Sequence, residues 1–168
     1  LDKEVEMDAK YLAGLFDGEG WFVIIKHWVP STRAGYAFTM RAGIALRQRT
    51  VLEEIQGFIG GSLRQKHKSK DAWASCFEWT VGGDEAVKLA LAIKDGLRIK
   101  KLQAELAIRF QKLMNCHPNS EDRWAAMEEM YQQMRILNMR GSKASEEPDD
   151  CDKSPWTLFQ EGLEKEET

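Results

Sequence analysis

The chain is short of the residues that staple or anchor a protein: three cysteines and four prolines among 168 residues, and no uninterrupted apolar run of membrane-spanning length. Cys76, Cys116 and Cys151 are odd in number and form no CxxC pair, so neither a disulfide framework nor a zinc site is indicated, and a reducing compartment such as bacterial cytoplasm or an organelle matrix is expected. No apolar run approaches the roughly 20 residues needed to cross a bilayer. The amino-terminal residues are acidic, unlike a signal or transit peptide, but the first residue is Leu1, so localisation stays open. Phosphate loops of the GKT or GKS kind are missing, and GEGWFV lacks the third glycine of a dinucleotide fingerprint. Asp17 to Trp21 cannot be a calcium loop of the EF-hand kind, because a tryptophan occupies the third ligand position. The histidines are few: His117 precedes Pro118 in a loop, and His67 belongs to a basic turn.

Acid predominates in the net charge of −3, but unevenly. From Ser142 to Thr168 there are three lysines against nine acids, whereas the remainder carries 21 basic and 18 acidic residues. The stretches 26–49 and 62–70 hold nine Lys/Arg and no acid, so the bulk charge does not argue against a nucleic-acid partner.

Periodicity predicts an α+β domain over residues 1–141, followed by an acidic linker and short tail over 142–168 in which Trp156, Leu158 and Phe159 form an apolar patch. Asp8 caps a helix to about Asp17, and Trp21 to Trp28 reads as a strand. After a Pro30 to Gly35 loop, Phe38, Met40, Ala42, Ile44 and Leu46 alternate with Thr39, Arg41, Gly43, Ala45 and Arg47, the pattern of a half-buried strand. Thr50 is the expected cap of a short helix through Val51, Leu52, Ile55 and Phe58. Strands are expected at Ser62 to His67 and Trp73 to Val81, then helices over Asp84 to Lys94, over Leu97 to Asn115 with Leu102, Leu106, Phe110 and Leu113 inward, and from a Ser120 cap to Arg140. The order is αββαββα with extra C-terminal helices, an antiparallel four-stranded sheet keeping one face free of helices. That face presents Thr39, Arg41 and Arg47, with Arg49 just beyond, and Ser62, Arg64, Lys66 and Lys68. Arginine suits guanine edges and phosphates, so this row could read and hold duplex DNA. On the first strand the outward set is Trp21, Val23, Ile25 and His27 if Phe22 and Ile24 face the core, and the fourth strand has the same ambiguity of facing.

The densest signal is Leu12 to Gly20, LAGLFDGEG, where a helix gives way to a strand. Gly14 and Gly18 lie four apart and share a helix face, leaving a groove in which a second backbone could cross closely. Each glycine costs roughly 1 kcal/mol relative to alanine inside a helix, so a compensating contact is expected. Downstream, Arg98, Lys100 and Lys101 crowd a helix start, the unfavourable end for cations, so an anion should sit nearby.

The nine-residue string resembles the signature of the LAGLIDADG homing endonucleases, departing from it at Phe16, Gly18 and Glu19. The resemblance implies an αββαββα fold with a DNA-binding saddle and a dimer interface through Ala13, Gly14, Asp17 and Gly18, Asp17 acting more as a packing and capping residue than as a metal ligand. A single visible motif implies a homodimer acting on a long, roughly palindromic double-stranded target, cut across the minor groove to leave short 3′ overhangs. Carried over by position, Glu19 with the Gly18 carbonyl would hold Mg²⁺ or Mn²⁺. LRIKKLQAEL resembles the segment whose lysine steadies the attacked phosphate, placing Lys100 first and Lys101 second, and Gln48 matches a polar residue that orders water. Two Glu19 carboxylates meeting at a two-fold axis would repel, and a hard divalent cation resolves that repulsion. Two other readings stand beside this one. A non-cleaving binder of the same fold, a splicing maturase or a regulator, is left room by Glu19 in place of aspartate and by the apolar first strand; a dimerisation module without nucleic acid would leave the basic row unexplained.

Overall fold

The computed structural model describes residues 7–32, 34–66, 76–116 and 121–139. The chain separates into two units, Leu1–Asn138 and Met139–Thr168, and every helix and strand among the described residues belongs to the first. Lys68 and the rest of the expected basic turn, the Ser120 cap, His117 and the acidic segment from Ser142 lie outside the described residues. No described helix is long and apolar enough to cross a membrane.

The elements run α1 (Ala9–Glu19), β1 (Gly20–Trp28), β2 (Tyr36–Leu46), α2 (Arg49–Ile59), β3 (Ser62–Lys66), β4 (Cys76–Gly82), α3 (Gly83–Ile93), α4 (Lys101–Cys116) and α5 (Glu121–Leu137). All strand pairs are antiparallel, in the order β1-β2-β4-β3. The expected αββαββα order with appended helices is therefore the observed one.

Alternation sets the two faces of the sheet. Phe38, Met40, Ala42 and Ile44 of β2, Phe22 and Ile24 of β1 and Trp79 and Val81 of β4 are buried toward the helices. The Trp79 indole N–H is satisfied by the Gly60 carbonyl at 2.8 Å, which lets so large a polar-tipped ring be wholly enclosed. Leu52 and Ile55 of α2, Leu89, Ala90 and Ile93 of α3 and Phe110 of α4 close the core from above. At the near end Phe16 of α1 stacks obliquely on Phe22, ring centroids 4.7 Å apart, and joins the first helix to the sheet it feeds.

Asp8 caps α1 as expected, its Oδ1 accepting the Lys10 N–H at 3.0 Å. The helix runs beyond Asp17 to Glu19, where the Gly20 N–H closes it on the Phe16 carbonyl. Three other expectations need correction. Thr50 lies inside α2 rather than capping it, because the helix starts two residues earlier, at Arg49, and Gln48 takes the cap position without a side-chain capping bond. Phe58 is exposed, the buried slot at the end of that helix falling to Ile59. Residues 97–100 are not helical, and Leu102 is 61% exposed while Ala104, Leu106, Ala107 and Phe110 form the inward stripe. The small residues Ala104 and Ala107 permit close packing of α4 against its neighbours, and that fixes which face turns inward.

Gly20 is required by this packing: a Cβ there would lie 2.4–2.7 Å from Phe16 ring atoms. Gly20→Ala is expected to cost about 1–3 kcal/mol through the overpacking it forces. Gly57→Ala, at an exposed position in α2 where a Cβ meets nothing within 4 Å, is expected to be neutral or stabilising by up to about 1 kcal/mol. Thermal melts followed by circular dichroism distinguish the two; equal melting temperatures would refute the packing role of Gly20.

Candidate functional site

The last turn of α1 and the residues that lead into α4 are joined by a reciprocal clasp. Asp17 accepts backbone N–H bonds from Arg98 at 2.7 Å on Oδ2, and from Ile99 at 3.2 Å and Lys100 at 3.0 Å on Oδ1. In return the Lys100 ammonium donates to the carbonyls of Phe16, at 3.0 Å, and Asp17. The Phe16 carbonyl also accepts the Gly20 N–H that closes α1, the Asp17 carbonyl lies among those a helix end leaves without an intrahelical donor, and each charge sits where the neighbouring helix dipole favours it. The anion expected beside the Arg98-Lys100-Lys101 cluster is thus Asp17 of the same chain. Its donors also explain why residues 97–100 form a cap instead of a helical turn.

Burial alone would push the Asp17 carboxyl up, but the N–H donors of Arg98, Lys100 and Ile99 together outweigh it and hold the group below the ordinary aspartate value. Burial pushes the Lys100 ammonium below the usual lysine value, against the opposing pull of the Asp17 and Glu19 carboxylates. Glu19 therefore lies within electrostatic reach of Lys100. Two of the three ammonium protons are committed to α1 carbonyls, and the third remains for another acceptor.

Glu19 itself is the exposed last residue of α1, one step before the sheet begins. Gly18 beside it is exposed, and its carbonyl belongs to the helix end that lacks an intrahelical donor. A carboxylate and a carbonyl are hard oxygen donors of the kind divalent magnesium or calcium takes. Among the described residues no group of three His, Cys, Asp or Glu side chains stands ready for a metal. The hard oxygens of Glu19 and Gly18 fit such a cation as part of its coordination shell. Gln48 is exposed at the start of α2. The Gly20↔Ile44 pairing puts the start of β1 and the end of β2 at one end of the sheet, and Gln48 follows β2 there.

Along α1 one face is open. Tyr11 is 53% exposed, Gly14 and Gly18 are exposed, and a Cβ at either glycine would meet nothing within 4 Å. Ala13 does not belong to this face: it is wholly buried, and a Cβ at Gly96 would lie 2.7 Å from its own, so its small size serves packing inside the chain. Asp17 is half-buried, and its carboxylate is taken up by three N–H donors of its own chain.

The helix-free face of the sheet carries His27 and Ile25 of β1, Thr39 and Arg41 of β2, and Ser62, Arg64 and Lys66 of β3, with Arg47 just past β2. The facing of β1 and β4 follows the burial of Phe22, Ile24, Trp79 and Val81, so Trp21, Val23, Cys76, Glu78 and Thr80 share the free face. Gly43 is obligatory in this surface, since a Cβ would lie 2.6 Å from the Trp21 ring that covers it. Thr39, Arg41, Ser62, Thr80 and Glu85 line a shallow groove of about 420 Å³. Arg49 is a correction: it starts α2, pairs with Glu53 at 2.7 Å and stands over the Phe77 ring, which places it on the helix side.

Sequence reasoning missed Glu78. The runs free of acid in the sequence are not free of it in space, because β4 brings this carboxylate directly opposite Arg64. Arg64 and Lys66 reach it at 2.6 and 2.7 Å. Burial would raise its pKa, but the Lys66 and Arg64 hydrogen bonds prevail and keep the carboxyl below its ordinary range. The alternation of β4 was the available signal; the pairing partner was not.

Residues 12–92 match the family model described as LAGLIDADG endonuclease. No curated protein matches the chain. Among solved structures it is similar to the homing endonuclease I-CvuI in complex with its target in the presence of 2 mM Ca, with a TM-score of 0.66 and 20% identity over 94% of this chain and 92% of that one. It is similar to the archaeal intron-encoded homing endonuclease I-Vdi141I complexed with DNA, with a TM-score of 0.69 and 18% identity over 82% and 88%. A third is the I-SmaMI LAGLIDADG homing endonuclease bound to cleaved DNA, with a TM-score of 0.61 and 16% identity, covering 90% of this chain and 55% of that one. At these identities the likeness is one of fold.

The clasp has a pH signature. A carboxyl held low in the folded state stabilises fully above its unfolded value, near 3.8, and loses that contribution as pH falls through the lower folded value. Asp17→Asn is expected to destabilise by about 1–2 kcal/mol at neutral pH. The gap should hold down to about pH 5 and close below 3.8, where wild-type Asp17 becomes neutral too. Denaturant melts across this range check it, and a gap independent of pH would contradict the assignment.

Proposed function

We infer that this chain belongs to the LAGLIDADG endonuclease family, whose model its residues 12–92 match, and that it is a homodimeric, metal-dependent endonuclease cutting double-stranded DNA at a long, roughly palindromic site. The observation that carries the reading is the exposed Glu19 carboxylate at the end of α1, beside an uncovered glycine face and at the margin of a sheet surface bearing arginines. Two such helices crossing at Gly14 and Gly18 would bring two half-sites together. The chain spans most of I-CvuI and I-Vdi141I but 55% of I-SmaMI, which supports one motif per chain and assembly in pairs. Residues 1–141 form the nuclease domain in this reading, and 142–168 an acidic linker and tail.

Glu19 and the Gly18 carbonyl of each subunit would hold Mg²⁺ or Mn²⁺. Such a cation supplies Lewis-acid stabilisation of the attacked phosphate and water acidic enough to serve as nucleophile near neutral pH. Lys100 is held on the carbonyls of Phe16 and Asp17 with one proton to spare, and it donates that proton to a phosphate oxygen as charge develops. Gln48 orders water at the same end of the sheet. Arg41, Arg47, Arg64 and Lys66, with Thr39, Ser62 and His27, line the duplex, and a ten-residue strand of about 33 Å covers close to one helical turn.

Glu19→Gln is expected to spare duplex binding and lower cleavage at least about a hundredfold, the scale of losing one electrostatic catalytic group. The assay is linearisation of a plasmid carrying the uninterrupted sequence that flanks the chain's own reading frame, in Mg²⁺ and in Ca²⁺; full cutting by the variant would refute the role of Glu19. Binding by wild type under both ions with no cutting in Mg²⁺ would favour a maturase or regulator of the same fold. Gly14→Leu is expected to convert dimer to monomer by sedimentation, and an unchanged profile would move the interface elsewhere.

A further inference from the structure

The basic face of the sheet is not uniform. No acid among the described residues lies within salt-bridge range of Arg41 on β2 or of Arg47 just past its end, so both are available to grip phosphates. At the β3 edge the situation differs. The Glu78 carboxylate, 5% exposed, uses one oxygen on Lys66 Nζ at 2.7 Å and the other on Arg64 Nε and Nη2 at 2.9 and 2.6 Å. Arg64 nevertheless stays 69% exposed. A guanidinium has five donors in one rigid plane. Holding its Nε side against a buried acceptor leaves the terminal Nη1–Nη2 edge facing outward in one direction. That edge is the one that matches the O6/N7 pair of guanine in the major groove. An arginine free to swing accepts any phosphate, whereas one clamped along its side has lost most of that choice. The carboxylate also cancels one of the two cations and would repel phosphates brought against this edge.

We propose that Glu78 is a positioning residue for sequence readout: it fixes Arg64 as a guanine-reading fork and removes charge from the β3 edge, so that this edge discriminates sequence while Arg41 and Arg47 supply grip. The proposal rests on the DNA reading and adds to it a division of labour between strands.

The test uses the full chain and a pool of duplexes with a randomised segment, in Ca²⁺, comparing wild type, Glu78→Gln and Arg64→Lys. Glu78→Gln should bind the unselected pool more tightly, roughly three- to tenfold at about 0.1 M salt, with a salt slope steeper by about 0.9, one phosphate contact. It should also lose about tenfold in enrichment at a symmetric pair of positions. Arg64→Lys keeps the charge and loses the fork, so it should lose enrichment at the same pair without a steeper slope. Unchanged slope and enrichment in Glu78→Gln, or a uniform weakening at every position, would overturn the proposal. If Glu78→Gln fails to fold, Arg64→Lys decides, and an unaltered position profile overturns it. Wild type that selects a sequence independently of Glu78 and Arg64 defeats this proposal alone. Wild type that shows neither salt dependence nor selection defeats the DNA reading and this proposal together.

Discussion

The site is organised by two helix ends that complete each other. A helix terminus strands carbonyls at one end and N–H groups at the other, and here the two ends face one another across the chain. Asp17, near the end of α1, gathers the N–H groups that open α4, while Lys100, at the opening of α4, gathers the carbonyls that close α1. Each charge lies at the favourable pole of the partner helix. The arrangement leaves the last turn of α1 little freedom to fray, and Glu19 is the residue that turn presents. A lysine committed in this way to main-chain oxygens is also held within electrostatic reach of Glu19.

The same helix has an inner and an outer use. Leu12, Ala13 and Phe16 are wholly buried, with Ala13 against Gly96 and Phe16 against Phe22 and Gly20. Tyr11, Gly14 and Gly18 face outward with open space before them. Glycines that weaken a helix while filling no space in their own chain point to a backbone outside it. Small residues thus differ on the two sides: Ala13 and Gly20 serve internal packing, while Gly14 and Gly18 leave open space on the outer face.

The sheet shows how charge counted along a chain differs from charge arranged in space. Antiparallel pairing of β3 with β4 sets Glu78 under Arg64 and Lys66, so the most basic segment is in part neutralised by a residue fourteen positions from Arg64. Trp21 lies over Gly43 on the same surface, near the end of the sheet where β1 begins. The face is therefore uneven in charge, with the β3 edge partly neutralised and Arg41 outside salt-bridge range of any acid among the described residues.

Local pattern was enough to read the strands, the Asp8 cap and the nine-residue string, because each is fixed by neighbours within a few positions: period-two burial through Phe38, Met40, Ala42 and Ile44, one side chain returning to its own N–H groups, and glycines spaced by a helical turn. It failed where distant segments set the outcome. Nothing near Lys100 reveals that its first turn is capped from Asp17, nothing in β3 names Glu78 as its acid, and Ala13 reads like its glycine neighbours until Gly96 is seen against it. The sequence by itself determined the order of elements, the two faces of β2 and the Asp8 cap that starts α1. Tertiary structure decided which charges meet, because an ion pair or a cap depends on distances across the chain that strand register and helix packing establish, and no short-range periodicity encodes these.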